Sequence, residues 1–478
     1  MSTNWVVLKF GGTSVAGRPQ WEAIAALLRA RLDAGHHVAV VCSAVSGMTN
    51  ELTALMGVEP REDELEDGLK NVLERHSRLA AELGVDDALW RPEAETRLRQ
   101  AFAALGGAGD YSGQAEVLAL GEWMSTRIGA EFLKQSLDVN WVDVRTALRI
   151  ADEPQLSSAR QWLSASCHPG ADAGLQASWE RLGKAILTQG FTAGTVDGKT
   201  ALLGRGGSDT SAALIAGRLQ ASELEIWTDV PGLFSADPRL EPDARLLARL
   251  DYEEALEMAA SGAKVVHPRC IRVAAACQTP LVIKDSGRPD LPGTHIGPHQ
   301  DERGETHRAV KAITCQKDMM VLLLEKNDPR REVGFLAGVF DIFARHGVSV
   351  DLVATSETTT TVALNRAANH LDERASASLV GDLQKHCNVT PYTDCIGLNL
   401  VGSSVRTALA DLGPAMRFFA DHPLLMMSQS ANDRCLSLLI EGRDYEQWLR
   451  QAHAALIPNP GDPSDGVFGP SWSEIQGR

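Results

Sequence analysis

The sequence predicts a large α/β domain with a mainly parallel sheet, followed by a region in which a β-α-β-β-α-β order occurs twice. Short valine-rich apolar runs alternate with helical patterns over the first 290 residues, as in a buried parallel sheet. A polar stretch rich in Gly, Pro and His then separates this part from the repeat. We therefore expect a large catalytic domain at 1–290 and a linker at 291–308. The repeat copies are expected at 309–393 and 394–458, followed by a flexible tail at 459–478.

Length and charge exclude several classes of protein. The chain has 478 residues, which is too long for one ordinary core, and a net charge of -16, which argues against a nucleic-acid partner. No apolar run approaches the roughly 18 residues that a membrane span needs, so no membrane partner is expected. The N-terminus does not resemble a secretion signal, and the eight scattered cysteines form no CxxC pair. These features predict a cytoplasmic protein with reduced thiols.

The first βαβ unit begins almost at the N-terminus. Apolar runs at 5–10 and 37–45 predict strands, and the helical spacing of apolar residues between 19 and 33 predicts the crossover helix. The chain from 60 to 135 is mainly helical in pattern. Further strands are predicted at 139–144, 199–204, 224–230 and 279–285, which completes one α/β sheet.

The repeat follows the polar stretch. Three histidines in that stretch match no zinc-site spacing, so a solvated linker is the better interpretation and no protein metal site is predicted. The first copy has strand patterns at 309–326, 348–365 and 388–394, with amphipathic helices between them. The second copy repeats this order in degenerate form. Such units are ferredoxin-like, and two copies in tandem indicate an internal repeat.

The stretch WVVLKFGGTSV raises a chemical question, because Lys9 interrupts an apolar strand just before two glycines. Gly11 and Gly12 would let the backbone approach an anion, and Lys9 would add a positive charge for a phosphate. The alternative is a lysine that extends from a strand end into solvent. The stretch is not a P-loop, since no GK[ST] follows the glycines.

A second glycine turn occurs in LGRGGSDTS, where Arg205, Gly206 and Gly207 lead through Ser208 and Asp209 into a helical pattern. One such turn is weak evidence, because these turns often only join a strand to a helix. Two turns that each pair a cation with glycines predict phosphate and carboxylate sites in one cleft. The dinucleotide-binding pattern is not met.

Four stretches carry a family resemblance: KFGGTSV (9–15), GRGGSD (204–209), WTDVPGLFSADPR (227–239) and SGAKVVHP (261–268). In order and spacing they resemble the signatures of aspartate kinases, which have the amino-acid kinase fold. The repeat resembles the two regulatory ACT domains of that family, most like the lysine-sensitive type. The likeness covers residues 5 to about 457, and nothing after 460 resembles the homoserine dehydrogenase of bifunctional members, so a monofunctional member is implied.

The resemblance implies ATP with Mg²⁺ as cofactor and L-aspartate as acceptor, phosphorylated to 4-phospho-L-aspartate at the start of lysine, threonine and methionine biosynthesis. Lys9 and Asp209 would be catalytic, with Asp209 organising the lysines around the phosphates. The resemblance assigns ATP binding to Lys9, Phe10, Gly11, Gly12, Thr228, Asp229, Phe234, Arg239, Lys264 and Val265. It assigns aspartate binding to Ser43, Thr49, Glu122, Arg205, Gly206, Gly207 and Ser208.

Several of these residues have a simpler interpretation as well. Glu122 could be a helix-surface acid, and Asp209 could cap the following helix. Asp229 lies in a turn-like sequence where Asp is common for local reasons, and Lys264 could be structural. Phe234 stands where relatives often have Tyr, so a polar contact is lost there.

The first repeat copy resembles the effector-binding ACT domain of lysine-inhibited relatives. A helix beginning at Gly334, Phe335 and Leu336 would offer N–H groups to an amino-acid carboxylate. Asp351, Ser356 and Glu357 would then face an ammonium group. The alternative is an ordinary ferredoxin-like domain with two solvated acids. ACT units usually pair across subunits, so the resemblance implies a homodimer or larger assembly.

Phosphoryl transfer to a carboxylate needs no general base, which agrees with a site rich in Lys, Arg and backbone N–H groups. Three other functions stay open. One is an amino-acid kinase for glutamate or its N-acetyl form, and another is an amino-acid sensor whose kinase half is inactive. The third is a unit tethered to a further enzyme by its Pro/Gly-rich tail.

Overall fold

The computed structural model describes residues 4–57, 62–107, 109–263, 265–298, 309–326, 333–458 and 466–477. The chain forms two compact units. The first unit consists of the described residues of Met1–Leu233, Ala248–Tyr252 and Val265–Gln300. The second unit consists of the described residues of Phe234–Leu247, Glu253–Lys264 and Asp301–Arg478.

The strands and helices follow one another as the sequence patterns predict in outline. The strands are β1 Trp5–Phe10, β2 His37–Cys42, β3 Asn140–Trp141, β4 Ala185–Gln189, β5 Thr192–Gly194, β6 Thr200–Leu202, β7 Glu223–Thr228, β8 Arg245–Leu247, β9 Arg249–Asp251, β10 Leu281–Asp285, β11 Thr294–Gly297, β12 Ala312–Lys326, β13 Leu352–Thr355, β14 Thr359–Asn365, β15 Cys387–Val401, β16 Leu424–Gln429, β17 Cys435–Glu441 and β18 Phe468–Ser471. The helices are α1 Arg18–Asp33, α2 Met48–Met56, α3 Glu62–Leu83, α4 Arg91–Ala103, α5 Tyr111–Lys134, α6 Val144–Ala147, α7 Ser158–Leu163, α8 Ala173–Leu182, α9 Gly207–Leu219, α10 Tyr252–Ala260, α11 Pro268–Cys277, α12 Phe335–Arg345, α13 Glu373–Gln384, α14 Gly413–Met416, α15 Tyr445–Leu456 and α16 Trp472–Ile475.

The first unit is built on a sheet of order β3-β4-β2-β1-β7-β10-β11-β9. Every pair in it is parallel except β10 with β11, which confirms the predicted mainly parallel sheet. β1 lies at its centre, paired with β2 on one side and β7 on the other. Because the chain leaves β1, β2 and β7 at the same edge, the turns after them meet there.

Two strand predictions need correction. The stretch 199–204 forms β6, which pairs with β5 in a separate two-stranded sheet and not in the main one. The main sheet instead contains β4, which pairs with β2 and β3 and which the sequence patterns did not reveal. All five residues of β4 are buried, yet it includes Thr188 and Gln189, so it lacks a continuous apolar run of the kind that predicts a buried parallel strand.

The second unit contains a six-stranded sheet of order β13-β14-β12-β15-β17-β16. The predicted tandem copies are nested within it. The second half of β12 pairs with the first half of β15 in the first copy, whereas Ala312–Gln316 pair with Gly397–Val401 in the second copy. The strand that completes the second copy therefore precedes the first copy in the chain.

The expected domain limits also differ from the structure at four places. The described residues of Glu253–Lys264, which we expected within 1–290, belong to the second unit. Phe234–Leu247 belong to the second unit, although we expected them in a domain ending at 290, because β8 pairs with β18. The expected linker at 291–308 contains β11, which joins the main sheet. The expected flexible tail contains β18 and α16, and a capping box between Ser471 and Glu474 begins α16. Among the described residues, no helix is both long and apolar enough to cross a membrane.

Candidate active site

The first glycine turn lies at the carboxyl end of β1. Lys9 is mostly buried, and its Nζ lies 2.5 Å from Oδ1 of Asp209. A Cβ on Gly11 would lie 3.6 Å from that ammonium, and one on Gly12 would lie 2.8 Å from the carbonyl oxygen of Ala44. The close approach at Gly12 therefore requires glycine. Lys9 does not extend freely into solvent but forms an ion pair at the sheet edge.

The second glycine turn leads into α9. Gly206 has a φ of 65°, a left-handed conformation that favours glycine, and a Cβ there would collide with the side chain of His267. Gly190, which follows β4, packs against Ser208 closely enough that a Cβ would lie 2.7 Å from the Ser208 Cβ. The turn after β4 thus holds the beginning of α9 at the same edge as Lys9.

Asp209 lies in the first turn of α9, where a negative charge is favoured by the helix dipole. The N-cap residue is Gly206, and no side-chain cap hydrogen bond is formed. The interpretation of Asp209 as a simple helix cap is therefore wrong. Its carboxylate faces Lys9 and joins the two glycine turns electrostatically.

Both glycine turns line one cavity of about 620 Å³. Its lining includes Lys9 from the first turn and Arg205 from the second, so the two cations that the sequence singled out face the same space. Of the predicted residues, the cavity is lined by Lys9, Gly12, Ser43, Thr49, Glu122, Arg205, Gly206, Gly207, Ser208 and Asp209. All seven residues predicted for aspartate binding are among them.

Glu122 is a buried acid on α5 that points into this cavity. Its side chain is 4% exposed, and within the described residues its Oε2 has no hydrogen-bond partner. Burial raises the pKa of Glu122 to about 8, although the backbone N–H of Ala44 partly opposes the shift. The interpretation of Glu122 as a surface acid is therefore wrong. A buried, unpartnered carboxyl group in a cavity is suited to a cationic ligand group.

Ser43 and Thr49 approach the cavity from the turn after β2 and from α2. The backbone of Ser43 is fixed on two sides, since its N–H donates to the carbonyl of Phe10 and its carbonyl accepts from Oγ of Ser125. Cys42 is a buried core thiol whose pKa is raised well above its usual value by desolvation, so it is not a nucleophile.

The ATP-binding residues predicted in the first unit lie around this edge with different exposures. Phe10 is fully buried and stacks on Trp227 with ring centroids 6.4 Å apart, so only its backbone can face a ligand. Thr228 ends β7, and its hydroxyl donates to exposed Asp229 over 3.1 Å. Val265 is half-buried, and Lys264 lies outside the described residues.

Phe234 and Arg239 belong to the second unit. Phe234 is buried and packs edge-to-face on Trp472, with ring centroids 5.6 Å apart. Arg239 is largely exposed, with 88% of its side chain accessible, and forms an ion pair with Asp237. The Phe234 ring therefore packs against protein.

The predicted effector residues divide into two groups along β13. Gly334 begins α12 in a left-handed conformation, and Leu336 is exposed. Lys326 joins this helix start to the β13–β14 turn, since its Nζ lies over the Phe335 ring and donates to the carbonyl of Glu357. Ser356 lies in the same turn, where its Oγ is 2.8 Å from Oγ1 of Thr359.

Asp351 lies at the other end of β13. Its carboxylate accepts the backbone N–H of Asn365 over 2.6 Å. Partial burial raises the pKa of Asp351 above its usual range, and the hydrogen bond from Asn365 partly opposes this. Asp351 and Glu357 therefore lie at opposite ends of β13 and do not form one acidic cluster.

Sequence reasoning missed ten of the twenty residues that line the cavity, and Asn50 and Phe191 are the most informative of them. Asn50 lines the cavity and directly follows Thr49, so its position beside a predicted site residue was the available signal. Phe191 also lines the cavity and has a φ of 67°, which is unusual for an aromatic residue. No sequence pattern reveals that conformation.

The cavity can therefore hold a ligand that carries both signs of charge. Lys9 and Arg205 offer two cations to phosphate or carboxylate groups, and Glu122 offers an acceptor to an ammonium group. Among the described residues, no group of three or more His, Cys, Asp or Glu side chains is arranged to hold a metal. This combination is suited to an anionic donor and a zwitterionic acceptor.

Comparisons with known proteins agree with this geometry. The amino acid kinase family model matches residues 4–285. Lysine-sensitive aspartokinase 3 of Escherichia coli is 31% identical over 465 residues, which cover 95% of this chain and 99% of that protein. Crystal structures of E. coli aspartokinase III with aspartate and ADP, and with lysine and aspartate, match with TM-scores of 0.77 and 0.79 at 30% identity. Each covers 95% of this chain and 100% of the solved chain. The chain therefore belongs to the amino acid kinase family and, within it, to the aspartokinases.

Proposed function

We propose that this protein transfers the γ-phosphoryl group of ATP to the side-chain carboxylate of L-aspartate, forming 4-phospho-L-aspartate and ADP. One observation carries the proposal: Lys9, Arg205, Glu122 and Asp209 all line one cavity. A relative of similar length was crystallised with aspartate and ADP. The reaction is the first step toward lysine, threonine and methionine.

The chemistry requires placement and charge more than proton transfer. A carboxylate oxygen of aspartate attacks the γ-phosphorus, and the bond from that phosphorus to the β–γ bridging oxygen breaks, so ADP leaves. Aspartate is already ionised far above its side-chain pKa of about 4, so no base removes a proton. Lys9 would stabilise the negative charge on the transferred group, and Asp209 would hold Lys9 in position.

The acceptor would be bound at both of its charged ends. Arg205 would bind the α-carboxylate through its planar guanidinium, and Glu122 would bind the ammonium group. Gly206, Gly207 and Ser208 would add contacts at the start of α9, while Ser43 and Thr49 would add hydrogen bonds from the opposite wall. This arrangement selects an amino acid with a free ammonium group over its N-acetyl form.

The nucleotide would be bound by residues of three signature stretches, at 9–15, 227–239 and 261–268. Gly11 and Gly12 would accommodate the β- and γ-phosphates beside Lys9, with the backbone of Phe10 preceding them. Thr228 and Asp229 follow β7, and Val265 precedes α11; with Phe234, Arg239 and Lys264 they complete the proposed ATP-binding set. For Phe234 the proposed role is to shape the nucleotide-binding segment, since its ring packs on Trp472.

Mg²⁺ would accompany ATP. The residues present fit such an ion, because Mg²⁺ in phosphoryl transfer is usually held by one or two carboxylates, substrate phosphates and water. Asp209 is the carboxylate at the phosphate end of the cavity, and we propose that it would hold the ion through water while also pairing with Lys9. The ion would supply additional positive charge at the β- and γ-phosphates.

We propose that an end-product amino acid, lysine first, inhibits the enzyme from the first repeat copy. A relative was crystallised with lysine and aspartate. The helix start at Gly334, Phe335 and Leu336 would bind the effector carboxylate. Ser356 and Glu357 lie near this start, whereas Asp351 lies at the far end of β13, so the two acids would recognise different parts of the effector.

We propose further that the protein is a homodimer or larger assembly formed through the ACT domains and located in the cytoplasm. Exposed apolar side chains on the repeat support such contacts, including Leu336, Val353 and Met427. All eight cysteines are free, as is usual in a reducing compartment.

Hydroxamate formation tests the function directly. With ATP, Mg²⁺ and hydroxylamine, the purified protein should form aspartyl hydroxamate and should be much less active with glutamate or N-acetylglutamate. Lysine and threonine are then added separately and together, and lysine should inhibit. Nucleotide binding without any aspartate-dependent ADP release would instead indicate an amino-acid sensor and would overturn the proposal.

A further inference from the structure

The C-terminal segment 466–477 packs on the chain segment that carries Phe234 and Arg239. We call Phe234–Leu247 the nucleotide segment, a name that rests on the proposed function. β18 of the C-terminal segment pairs in antiparallel fashion with β8 at the end of the nucleotide segment. Beyond that pair, the backbone N–H of Trp472 donates to the carbonyl of Ala244, and that of Ser473 donates to the carbonyl of Pro242.

Aromatic packing makes a second connection. The ring of Trp472 meets Phe234 edge-to-face, with an interplanar angle of 86° and a centroid separation of 5.6 Å. Phe234 also forms an isolated β-bridge with Leu246, so it is held from its backbone and from its ring. Such an aromatic contact orients a ring as well as burying it.

Arg245 makes a third connection from inside the nucleotide segment. It is 5% exposed, and its guanidinium donates to the carbonyls of Gly469 and Phe468 over 3.0 and 3.3 Å. The same guanidinium lies over the Phe468 ring at 5.5 Å. A buried cation that donates to backbone carbonyls fixes both strands in register, because leaving it without those acceptors would cost desolvation.

β12 and α15 also contact the nucleotide segment, and the backbone N–H of Ile313 in β12 donates to the carbonyl of Ser235. Oγ of Ser235 lies 2.9 Å from Nε2 of His453, and the backbone N–H of Arg245 donates to the same hydroxyl. The middle of the segment is less enclosed. Arg239 is exposed and is held there by Asp237, two residues away. Next to it, the guanidinium of Arg450 on α15 donates to the carbonyl of Leu240 over 3.1 Å.

We propose that the C-terminal segment positions the nucleotide segment, so that Trp472 acts on ATP binding through Phe234. Trp472 is a positioning residue and contacts no reacting atom. Without the Trp472 ring, Phe234 loses its edge-to-face contact, while the pairing of β8 with β18 and the hydrogen bonds of Arg245 and Ser235 remain. The nucleotide segment would then sample more conformations, and ATP would have to order it on binding, which weakens the apparent affinity.

The test compares the full chain with Trp472→Ala, Trp472→Phe and a chain that lacks residues 466–478. We expect Trp472→Ala and the truncation to raise the KM for ATP about five- to tenfold, an amount that corresponds to loss of one good aromatic contact. The KM for aspartate and kcat should stay within about twofold. Trp472→Phe should recover most of the ATP affinity, and Gln476→Ala, at an exposed position of the same segment, should behave as the full chain does.

Calorimetric titration with ADP and Mg²⁺ separates this inference from the proposed function. If the full chain never phosphorylates aspartate, the proposed function fails, but weaker ADP binding by Trp472→Ala would still support the positioning role. A lower melting temperature with unchanged ADP affinity and unchanged KM for ATP would show that the segment only adds stability. That result would overturn the inference.

Discussion

In the proposed function Glu122 binds the ammonium group of aspartate, so its ionisation would decide how tightly the acceptor binds. An acid with a raised pKa is neutral below that pKa, and burial raises the pKa of Glu122 to about 8. The ionised form attracts an ammonium group far more strongly than the neutral form, so at pH 7 binding of aspartate would be coupled to loss of a proton from Glu122. The burial that excludes water thus makes substrate binding sensitive to pH.

We therefore expect the apparent affinity for aspartate to increase by about fivefold between pH 7 and pH 8, as the ionised fraction of Glu122 increases. The measurement is the KM for aspartate at each pH, with ATP saturating. Glu122→Gln should weaken aspartate binding and remove this pH dependence. An equal pH dependence in the Gln variant would assign it to another group.

Variants of Lys9 and Arg205 should affect different kinetic constants, because the two residues have different proposed roles. Lys9→Ala should lower kcat about a hundredfold or more, the usual cost of losing a contact made to charge in the transition state. Lys184→Ala, an exposed lysine of the same unit, is the matched control and should have little effect. Steady-state kinetics with both substrates varied provide the measurement, and a near-normal kcat for Lys9→Ala would refute its role.

Arg205→Ala should instead raise the KM for aspartate about tenfold or more while changing the KM for ATP little, because a bidentate contact to a carboxylate is lost. The same kinetic design measures both constants. The opposite pattern, with ATP affected and aspartate not, would mean that the two glycine turns have exchanged roles.

At the scale of elements, the strand-to-glycine turns were predictable because their residue types are unusual for their positions. Lys9 in an apolar strand and Arg205 before two glycines identified the cavity without any contact information. β4 was not predictable in this way, since the polar residues Thr188 and Gln189 interrupt the apolar run of a strand that is fully buried. Phe191 likewise has a left-handed conformation and packs closely on Gly207, and the local sequence indicates neither feature.

The structure of the C-terminal tail, at 466–477, depends on strand pairing with a segment far away in the sequence. Its Pro/Gly content suggested a flexible end, yet β18 is stabilised by β8, more than two hundred residues earlier in the chain. The Ser471–Glu474 capping box is a local signal that sequence reasoning could have used. Non-local strand pairs are the general limit here, because a sequence shows propensity but not which strand is the neighbour.

The first repeat copy has its own prediction. Asp351→Ala should raise the lysine concentration that gives half-inhibition by about tenfold or more, because a charged contact to the effector is removed. The measurement is lysine titration of hydroxamate formation. Asp341→Ala provides the control, since Asp341 is an exposed acid on α12 that pairs only locally with Arg345. If lysine inhibits both variants and the parent equally, Asp351 does not bind the effector, and the first repeat copy would have only a structural role.

At the scale of the whole molecule, the chain consists of a catalytic unit and a second unit that also includes Phe234–Leu247. Part of the proposed ATP-binding set therefore belongs to the same compact unit as the repeat.

Assembly is the property that the whole molecule should show in solution. We expect sedimentation velocity to give a dimer or a larger species at micromolar protein concentration. Replacing exposed Val353 with Lys should weaken association if the repeat forms the contact, since a charge would be placed in an apolar interface. A monomer at all concentrations would contradict the proposed assembly.

The nested strand pairing has a consequence for protein engineering. Gln316 and Gly397 face each other as a pair in adjacent antiparallel strands. A two-residue turn that joins them would therefore close a hairpin and remove residues 317–396, which contain the first copy. The strand pairing of the second copy would stay intact. The opposite excision, keeping only the intervening domain, would need the ends near Asp318 and Cys395 as its new termini. An ACT fragment cut at residue 393, between the apparent tandem copies, would instead divide β15, and the part from 394 onward would lose its pairing with Ala312–Gln316.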